Sequence, residues 1–173
     1  MSAGPSILIL GLGNSLLGDD AAGPLAIESL LASPSALDAQ ISLRDGGTMG
    51  LSLLPEIEDC AGFIAIDAAS FGAAPGTVRV FEGAAMDAIL GGVKKTAHEV
   101  ALADLMGAAM LAGSAPVFRA LVAVQPLTTA LGMTLSPPVE AAMPQVLLET
   151  MALVRRWRPG MNQPPAPHLE TMA

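Results

Sequence analysis

Short runs of consecutive apolar residues alternate along this chain with longer segments in which apolar residues recur at helical spacing. Continuous apolar runs at 6–10, 61–66 and 118–124 are typical of strands covered on both faces of a parallel sheet. Residues 39–45 and 77–81 alternate between apolar and polar side chains, which predicts strands with one wetter face. We expect the second of these to lie near a sheet edge.

Helical patterns separate these strands. Residues 21–32 predict a helix that has Pro24 in its first turn, where the missing N–H costs little. Thr96 and Glu99 have the spacing of a capping box, which predicts a helix from Thr96 to about residue 111. We also expect a short helix after Thr48, a helical turn within the weakly patterned residues 83–95, and a long helix over 137–157.

Strands that alternate with helices predict an α/β fold with a mainly parallel sheet and helices on both faces. The length of 173 residues suits a single domain. We assign that domain to residues 1–158. Residues 159–173 contain several prolines and little periodicity, which predicts a disordered tail.

Composition narrows the class of protein. Apolar residues make up 52% and charged residues 14% of the chain, which excludes disorder as its general state. The net charge of -8 argues against a nucleic-acid partner, which needs a basic surface, and is compatible with a cation or a metal-bearing partner.

Targeting signals and cysteine usage predict the compartment. No apolar stretch is long enough for a membrane span, and residues 1–5 lack the positive charge of a signal peptide. The single cysteine, Cys60, rules out an intramolecular disulfide and a cysteine-based zinc site. We therefore expect a cytoplasmic protein without membrane or nucleic-acid partners.

Residues with useful chemistry follow the predicted strands. Ligands of open α/β sheets bind beyond the carboxyl ends of the strands. Carboxylates follow three strands, and an imidazole lies in the first turn of the helix that the Thr96 capping box begins. Two carboxylates and one imidazole that converged there would form a mixed oxygen and nitrogen site for a divalent transition metal. The candidates are Asp19, Asp20, Asp67 and His98, with Asp45, Gly46, Gly47 and Thr48 after the second strand.

Other interpretations of these residues remain open at this point. One of Asp19 and Asp20 could cap the helix that follows them. Gly11 and Gly13 resemble the start of a dinucleotide-binding turn, although Leu16 stands where the third glycine belongs and the acidic pair would repel a pyrophosphate. A serine hydrolase lacks support because no nucleophile-elbow motif is present.

Several motifs, taken in order, resemble those of the NiFe-hydrogenase maturation proteases. The similarity covers residues 7–154. The motifs are GLGNSLLGDDAAG at 11–23, DGGTMGLSLL at 45–54, IDAAS at 66–70, PG at 75–76 and TAHEVALADL at 96–105.

The resemblance implies a fold, an activity and a partner. The fold is a three-layer α/β/α sandwich with a five-stranded, largely parallel sheet. The activity is that of an endopeptidase that removes a C-terminal extension from the hydrogenase large-subunit precursor after nickel insertion. Nickel is then carried by the substrate and need not be bound permanently.

The resemblance also implies a site. Matched residue by residue, the metal-contacting and catalytic triad is Asp20, Asp67 and His98, with Asp20 in a position that is Glu in many members. Residues 45–48 could supply contacts to the extension. The alternative function is a non-catalytic metal-binding chaperone on the same fold.

Overall fold

The computed structural model describes residues 6–33, 40–47, 50–92 and 97–161, with the backbone alone at 50–51 and 97–99. Its strands are β1 (Ile7–Leu12), β2 (Ile41–Gly47), β3 (Gly62–Ala68), β4 (Val78–Glu82) and β5 (Phe118–Val124). Its helices are α1 (Ala22–Leu31), α2 (Leu54–Asp59), α3 (Ala84–Leu90), α4 (Ala97–Leu111) and α5 (Pro137–Met161). Short 3-10 helices span Gly18–Ala21 and Gly50–Leu53.

The strands form one five-stranded sheet in the order β2-β1-β3-β5-β4. All neighbours are parallel except β4, which runs antiparallel to β5 at the sheet edge. Every residue of β1 and β3 is buried, as their continuous apolar runs predict for central strands. The predicted mostly parallel sheet and the edge position of residues 77–81 are therefore confirmed.

Helices cover both faces of this sheet and create two cores. The first core joins one face of the strands to α1 and α5, through residues such as Ile27 and Val146. The second joins the opposite face to α2, α3 and α4, through residues such as Phe63 and Leu105. The molecule is thus the three-layer α/β/α sandwich that the resemblance implies.

The long C-terminal helix extends further than its apolar pattern predicts. It continues through Pro159 and ends at Met161 instead of about residue 157. Trp157 is buried, and its ring lies 5.8 Å from that of Phe118. Trp157 and Met161 both lie against Gly62, so packing on the sheet accompanies the extra turn. The remaining part of the predicted tail, residues 162–173, lies outside the described residues.

Two other predictions also fall outside the described residues, namely the helix cap at Thr96 and the site position Thr48. In the described part of the chain, none of the helices combines the length and apolar composition needed to cross a bilayer.

Candidate functional site

The candidate site lies at the carboxyl edge of the sheet, between β1 and β3. From β1 the chain moves outward to β2, and it then returns past β1 to β3 and the strands beyond. Such a reversal of strand order opens a crevice in which α/β proteins bind ligands. Asp20 lies in the 3-10 helix that follows β1, and Asp67 lies near the carboxyl end of β3.

Both carboxylate residues are buried, each with 2% of its surface exposed. The 3-10 helix that carries Asp20 packs directly against β3, which carries Asp67. A Cβ added to Gly23, at the start of α1, would lie 2.6 Å from the carbonyl oxygen of Ile66. The close approach of helix to sheet therefore brings the segments of Asp20 and Asp67 together.

Asp67 faces the layer that contains α4. It pairs with Ala123 of β5, so it belongs to the strand, whereas the apolar run alone predicts a strand that ends before it. Side chains alternate between the faces of a strand, and Phe63 and Ala65 both pack into the core beside α2, α3 and α4. The same alternation directs Asp67 to that face.

His98 lies in the first turn of α4, on the same side of the sheet. The last turn of α4 is close to the start of the strands, because Ser114 donates a 2.7 Å hydrogen bond to Glu58, which lies just before β3. The first turn of α4 therefore points towards the carboxyl edge. The backbone of His98 and the Asp67 side chain share one face and one edge, and the imidazole lies outside the described side chains.

A tight loop encloses Asp20. The backbone N–H of Asn14 donates a 2.8 Å hydrogen bond to Oδ2 of Asp20. Gly13 has a φ of 130° and contacts the Asp20 carbonyl so closely that no side chain would fit. The Asn14 side chain in turn accepts a hydrogen bond from the N–H of Leu16 at 2.9 Å. The glycine-rich loop after β1 is thus shaped around a carboxylate.

Asp19 has a structural role. Its carboxylate is fully buried and accepts hydrogen bonds from the N–H groups of Leu127 at 2.8 Å, Thr128 at 3.0 Å and Ser136 at 2.6 Å. The Ser136 hydroxyl donates a further bond at 2.8 Å. Burial raises the pKa of Asp19, but the bonds from Ser136, Thr128 and Leu127 together outweigh it and lower the pKa below its usual value. Asp19 therefore fastens the loop after β5 to the loop after β1.

Backbone hydrogen bonds join the same two loops. The N–H of Gly18 donates to the carbonyl of Gly132 at 2.8 Å, and the N–H of Gly132 donates to the carbonyl of Leu16 at 2.9 Å. The N–H of Asp19 also donates to Thr128 at 3.1 Å. The two loops consequently form one continuous wall beside Asp20.

The segment after the second strand lies at the same edge but on the far side of β1. Asp45 pairs with Gly11 and Gly47 pairs with Leu12, so Gly46 is an extra residue in a bulge. Gly47 has a φ of 39°, and its N–H donates to Oδ1 of Asp45 at 3.0 Å. Asp45 thus shapes its own turn and is exposed.

The structure also reveals participants that the sequence patterns did not single out. Ser136 binds Asp19, and the side chain of Gln125 accepts hydrogen bonds from the N–H groups of Phe71 at 2.9 Å and Ala73 at 3.3 Å, which holds the loop after β3. Both residues flank a strand end or a helix start. That position is the only local signal for them, because their partners are distant in the chain.

Metal-ligand and thiol chemistry can be assessed for the described side chains. Among them, and therefore without His98, no group of three His, Cys, Asp or Glu residues could hold a metal ion. Cys60 is buried, and burial raises the pKa of its thiol to about 11. The thiol is therefore protonated at neutral pH and is not a nucleophile.

Comparison with known proteins gives a consistent result. A family model described as hydrogenase maturation protease matches residues 26–152. The chain is 34% identical over 152 residues to the hydrogenase expression/formation protein HupD of Rhodobacter capsulatus, covering 87% of this chain and 72% of that protein. It is 33% identical to the hydrogenase 2 maturation protease of Escherichia coli, covering 86% and 90% of the two chains.

Solved structures show the same fold. The hydrogenase maturating endopeptidase HybD from Escherichia coli superposes with a TM-score of 0.81 at 32% identity, covering 87% of this chain and 93% of that one. A hydrogenase maturation protease HybD from Thermococcus kodakarensis superposes with a TM-score of 0.71 at 25% identity, covering 86% and 98%.

Proposed function

Because this chain belongs to the hydrogenase maturation protease family, we propose that it removes the C-terminal extension of a NiFe-hydrogenase large-subunit precursor after nickel insertion. In this proposal Asp20, Asp67 and His98 contact the nickel ion that the precursor carries. The ion is part of the substrate, so the protease distinguishes precursor that carries nickel from precursor that does not. The single cysteine suits a reducing compartment, and we assign the reaction to the cytoplasm.

The observation that carries the proposal is the convergence of elements at the switch point. One buried carboxylate lies in the 3-10 helix that follows β1 and the other lies near the end of the adjacent β3, and the first turn of α4 approaches the same edge on the face of Asp67. A nickel ion presented by the precursor would supply charge at this position, and oxygen and imidazole donors suit it.

Two chemical roles for the triad follow from this arrangement. In the first, Asp20, Asp67 and His98 orient the nickel so that it polarises the scissile carbonyl or a water molecule. In the second, nickel only docks the precursor, and one of the carboxylates acts as general base towards water. Both roles need the carboxylate of Asp67 beside the bound precursor.

The bulge after β2 is the proposed contact for the extension. Gly47 carries no side chain that would keep a peptide away from the backbone, whereas Gly46 is buried against Leu10 and Leu12. Asp45 fixes the turn by accepting the N–H of Gly47. An extended segment of the precursor can lie along such an open backbone. Thr48 belongs to the same proposed contact.

The test compares nickel-loaded with nickel-free precursor. We expect the wild-type protein to cleave only the loaded form. Asp67→Asn, which keeps the shape of the side chain but removes its charge, should slow cleavage by about 100-fold or more because either role loses its carboxylate. Cleavage is measured by the shortening of the precursor, and folding is checked by thermal unfolding.

Asp59→Asn is the matched control, because Asp59 is exposed at the end of α2. This variant should cleave at the wild-type rate. If Asp67→Asn also matured the precursor at that rate, the triad assignment would be wrong. A wild-type protein that binds the loaded precursor but never cleaves it would instead indicate the non-catalytic chaperone.

A further inference from the structure

Four large apolar side chains project into solvent from the two loops beside Asp20. Leu127 is 57% exposed and lies at the start of the loop after β5, and the other three form one group. Leu16 is 50% exposed, Leu131 is 86% exposed and Met133 is 80% exposed. We call this set the apolar rim. The backbone hydrogen bond from Gly132 to Leu16 makes the three residues neighbours, since Gly132 lies between Leu131 and Met133. Clustered exposed apolar side chains are a common mark of interaction surfaces.

The rim is held on a fixed frame. The Asp19 carboxylate binds the loop after β5 at both of its ends, through Leu127 and Thr128 on one side and Ser136 on the other. Its bonds are charge-assisted and buried, which makes them strong. The apolar side chains are therefore presented in a defined arrangement, and a partner would not have to order these loops when it binds.

The rim continues directly into the candidate site. Leu16 belongs to the loop whose Asn14 amide binds the Asp20 carboxylate, and Asn14 itself binds the N–H of Leu16. A protein substrate held at Asp20 would extend across this loop. The rim is thus an apolar surface next to the site, which the residues that flank a scissile bond can contact.

The charge pattern indicates what kind of segment fits there. The chain carries a net charge of -8, yet residues 120–139 contain no charged side chain, and neither do residues 6–18. The two loops that carry the rim therefore expose no charged side chain, although the buried Asp19 carboxylate joins them. An uncharged, apolar segment matches these loops better than a basic one, because burial of apolar surface is the main favourable term available there.

We propose that the apolar rim binds an uncharged, apolar segment of the precursor protein next to the cleavage position. This inference rests on the proposed function, since it takes the hydrogenase precursor as the partner. It assigns substrate affinity to Leu16, Leu131 and Met133, whereas nickel recognition belongs to the triad. The contact does not require nickel, so it contributes equally to binding of the loaded and the nickel-free precursor.

The test is the double variant Leu131→Ser/Met133→Ser, whose side chains are exposed and therefore contribute little to folding. Affinity is measured by titration with nickel-free precursor, and KM and kcat are measured with the loaded form. We expect affinity to fall roughly tenfold, with a matching rise in KM and little change in kcat, since a few apolar anchors dominate many interfaces.

The control is Leu111→Ser/Val117→Ser, because these residues are 93% and 82% exposed. Leu111 ends α4 and Val117 directly precedes β5, at the opposite edge of the sheet. It should bind and cleave like the wild type. Equal affinities for both double variants would overturn the rim assignment. So would a rim variant that only abolishes self-association in sedimentation equilibrium, since the rim would then join two copies of this chain.

The two proposals fail in different ways. If the wild type cleaves the loaded precursor and the rim variant does so with unchanged KM, only the rim assignment is lost. If the wild type cleaves neither form, the proposed function is lost, and the titration with nickel-free precursor still tests the rim.

Discussion

Two neighbouring aspartates in this chain have different roles, and only long-range contacts distinguish them. Asp19 accepts hydrogen bonds from Leu127, Thr128 and Ser136, which are more than a hundred positions away in the chain. Asp20 accepts the N–H of Asn14, and its 3-10 helix packs against the strand that carries Asp67. The local sequence could predict two carboxylates at a helix start, and the resemblance selected Asp20, but neither could identify the partners of Asp19.

Asp19→Asn should destabilise the protein strongly. Every described partner of this carboxylate is a hydrogen-bond donor, and the amide nitrogen of Asn would face at least one of them. A buried donor left unsatisfied costs about 1–3 kcal/mol, and the loss of a charge-assisted bond adds to it. We expect the free energy of unfolding to fall by about 3 kcal/mol, as measured by urea denaturation.

Ser136→Ala and Asp59→Asn calibrate this measurement. Ser136→Ala removes one hydroxyl hydrogen bond to Asp19, so the free energy of unfolding should fall by about 1 kcal/mol. Asp59→Asn changes an exposed carboxylate, so its free energy of unfolding should stay within about 0.5 kcal/mol of the wild type. A stability of Asp19→Asn equal to that of Asp59→Asn would show that the two loops do not depend on this carboxylate.

At the level of elements, the glycines at the end of β1 and the start of α1 fit helix packing better than nucleotide binding. Gly11 and Gly23 lie against each other where α1 crosses the sheet, and a Cβ on Gly11 would also lie 2.6 Å from Ile27. The sequence pattern of Gly11 and Gly13 is shared with dinucleotide-binding turns because both need a sharp strand-to-helix turn. Here that turn brings the segment of Asp20 onto the sheet.

Gly23→Ala should therefore damage both stability and activity. The new methyl group would meet the carbonyl oxygens of Leu12 and Ile66, which belong to the rigid sheet, so α1 must move outward. Overpacking of this kind costs about 1–3 kcal/mol. Because the displaced helix follows Asp20 directly, we also expect cleavage to slow. Thermal unfolding and the precursor assay measure the two effects.

Gly107→Ala provides the opposite control. Gly107 lies within α4, and a Cβ there would meet no heavy atom within 4 Å outside its own helix backbone. Alanine should stabilise the helix by about 0.5–1 kcal/mol without affecting cleavage. Loss of stability in both variants would argue against the proposed clash at Gly23.

Element boundaries show where local patterns reach their limit. Continuous apolar runs located β1, β3 and β5, because strands covered on both faces must be apolar, and alternation of apolar and polar residues located β2 and β4. These patterns did not include Asp67 in the predicted strand, because the place of Asp67 in β3 depends on its pairing with Ala123. Helix α3 was weakly patterned because only Met86 and Leu90 of its residues are buried, while Asp87 is engaged by Arg119 of β5.

At the scale of the whole molecule, the site exists because of the strand order. Apolar runs predict which residues form strands, but not which strands pair with each other. The position of β1 between β2 and β3 is visible only in the folded sheet. The residue pattern predicted the five strands, and the resemblance to a family supplied the residues of the proposed triad. The structure adds the reason that segments after β1 and within β3 meet, which is the reversal of direction at the switch point.

A double-variant cycle tests whether the carboxylates from these two strands act on one ion. The measured quantity is the ratio of affinities for nickel-loaded and nickel-free precursor, compared among wild type, Asp20→Asn, Asp67→Asn and the combined variant. If both residues contact the same nickel, either substitution alone should remove most of the preference, and the second should add little. Residues that act as a unit are non-additive in this way. If the two losses multiplied, each carboxylate would act separately.

Leu131→Ser combined with Asp67→Asn is the internal reference for this cycle. Because the rim binds both forms of the precursor, adding Leu131→Ser should weaken both affinities and leave their ratio unchanged.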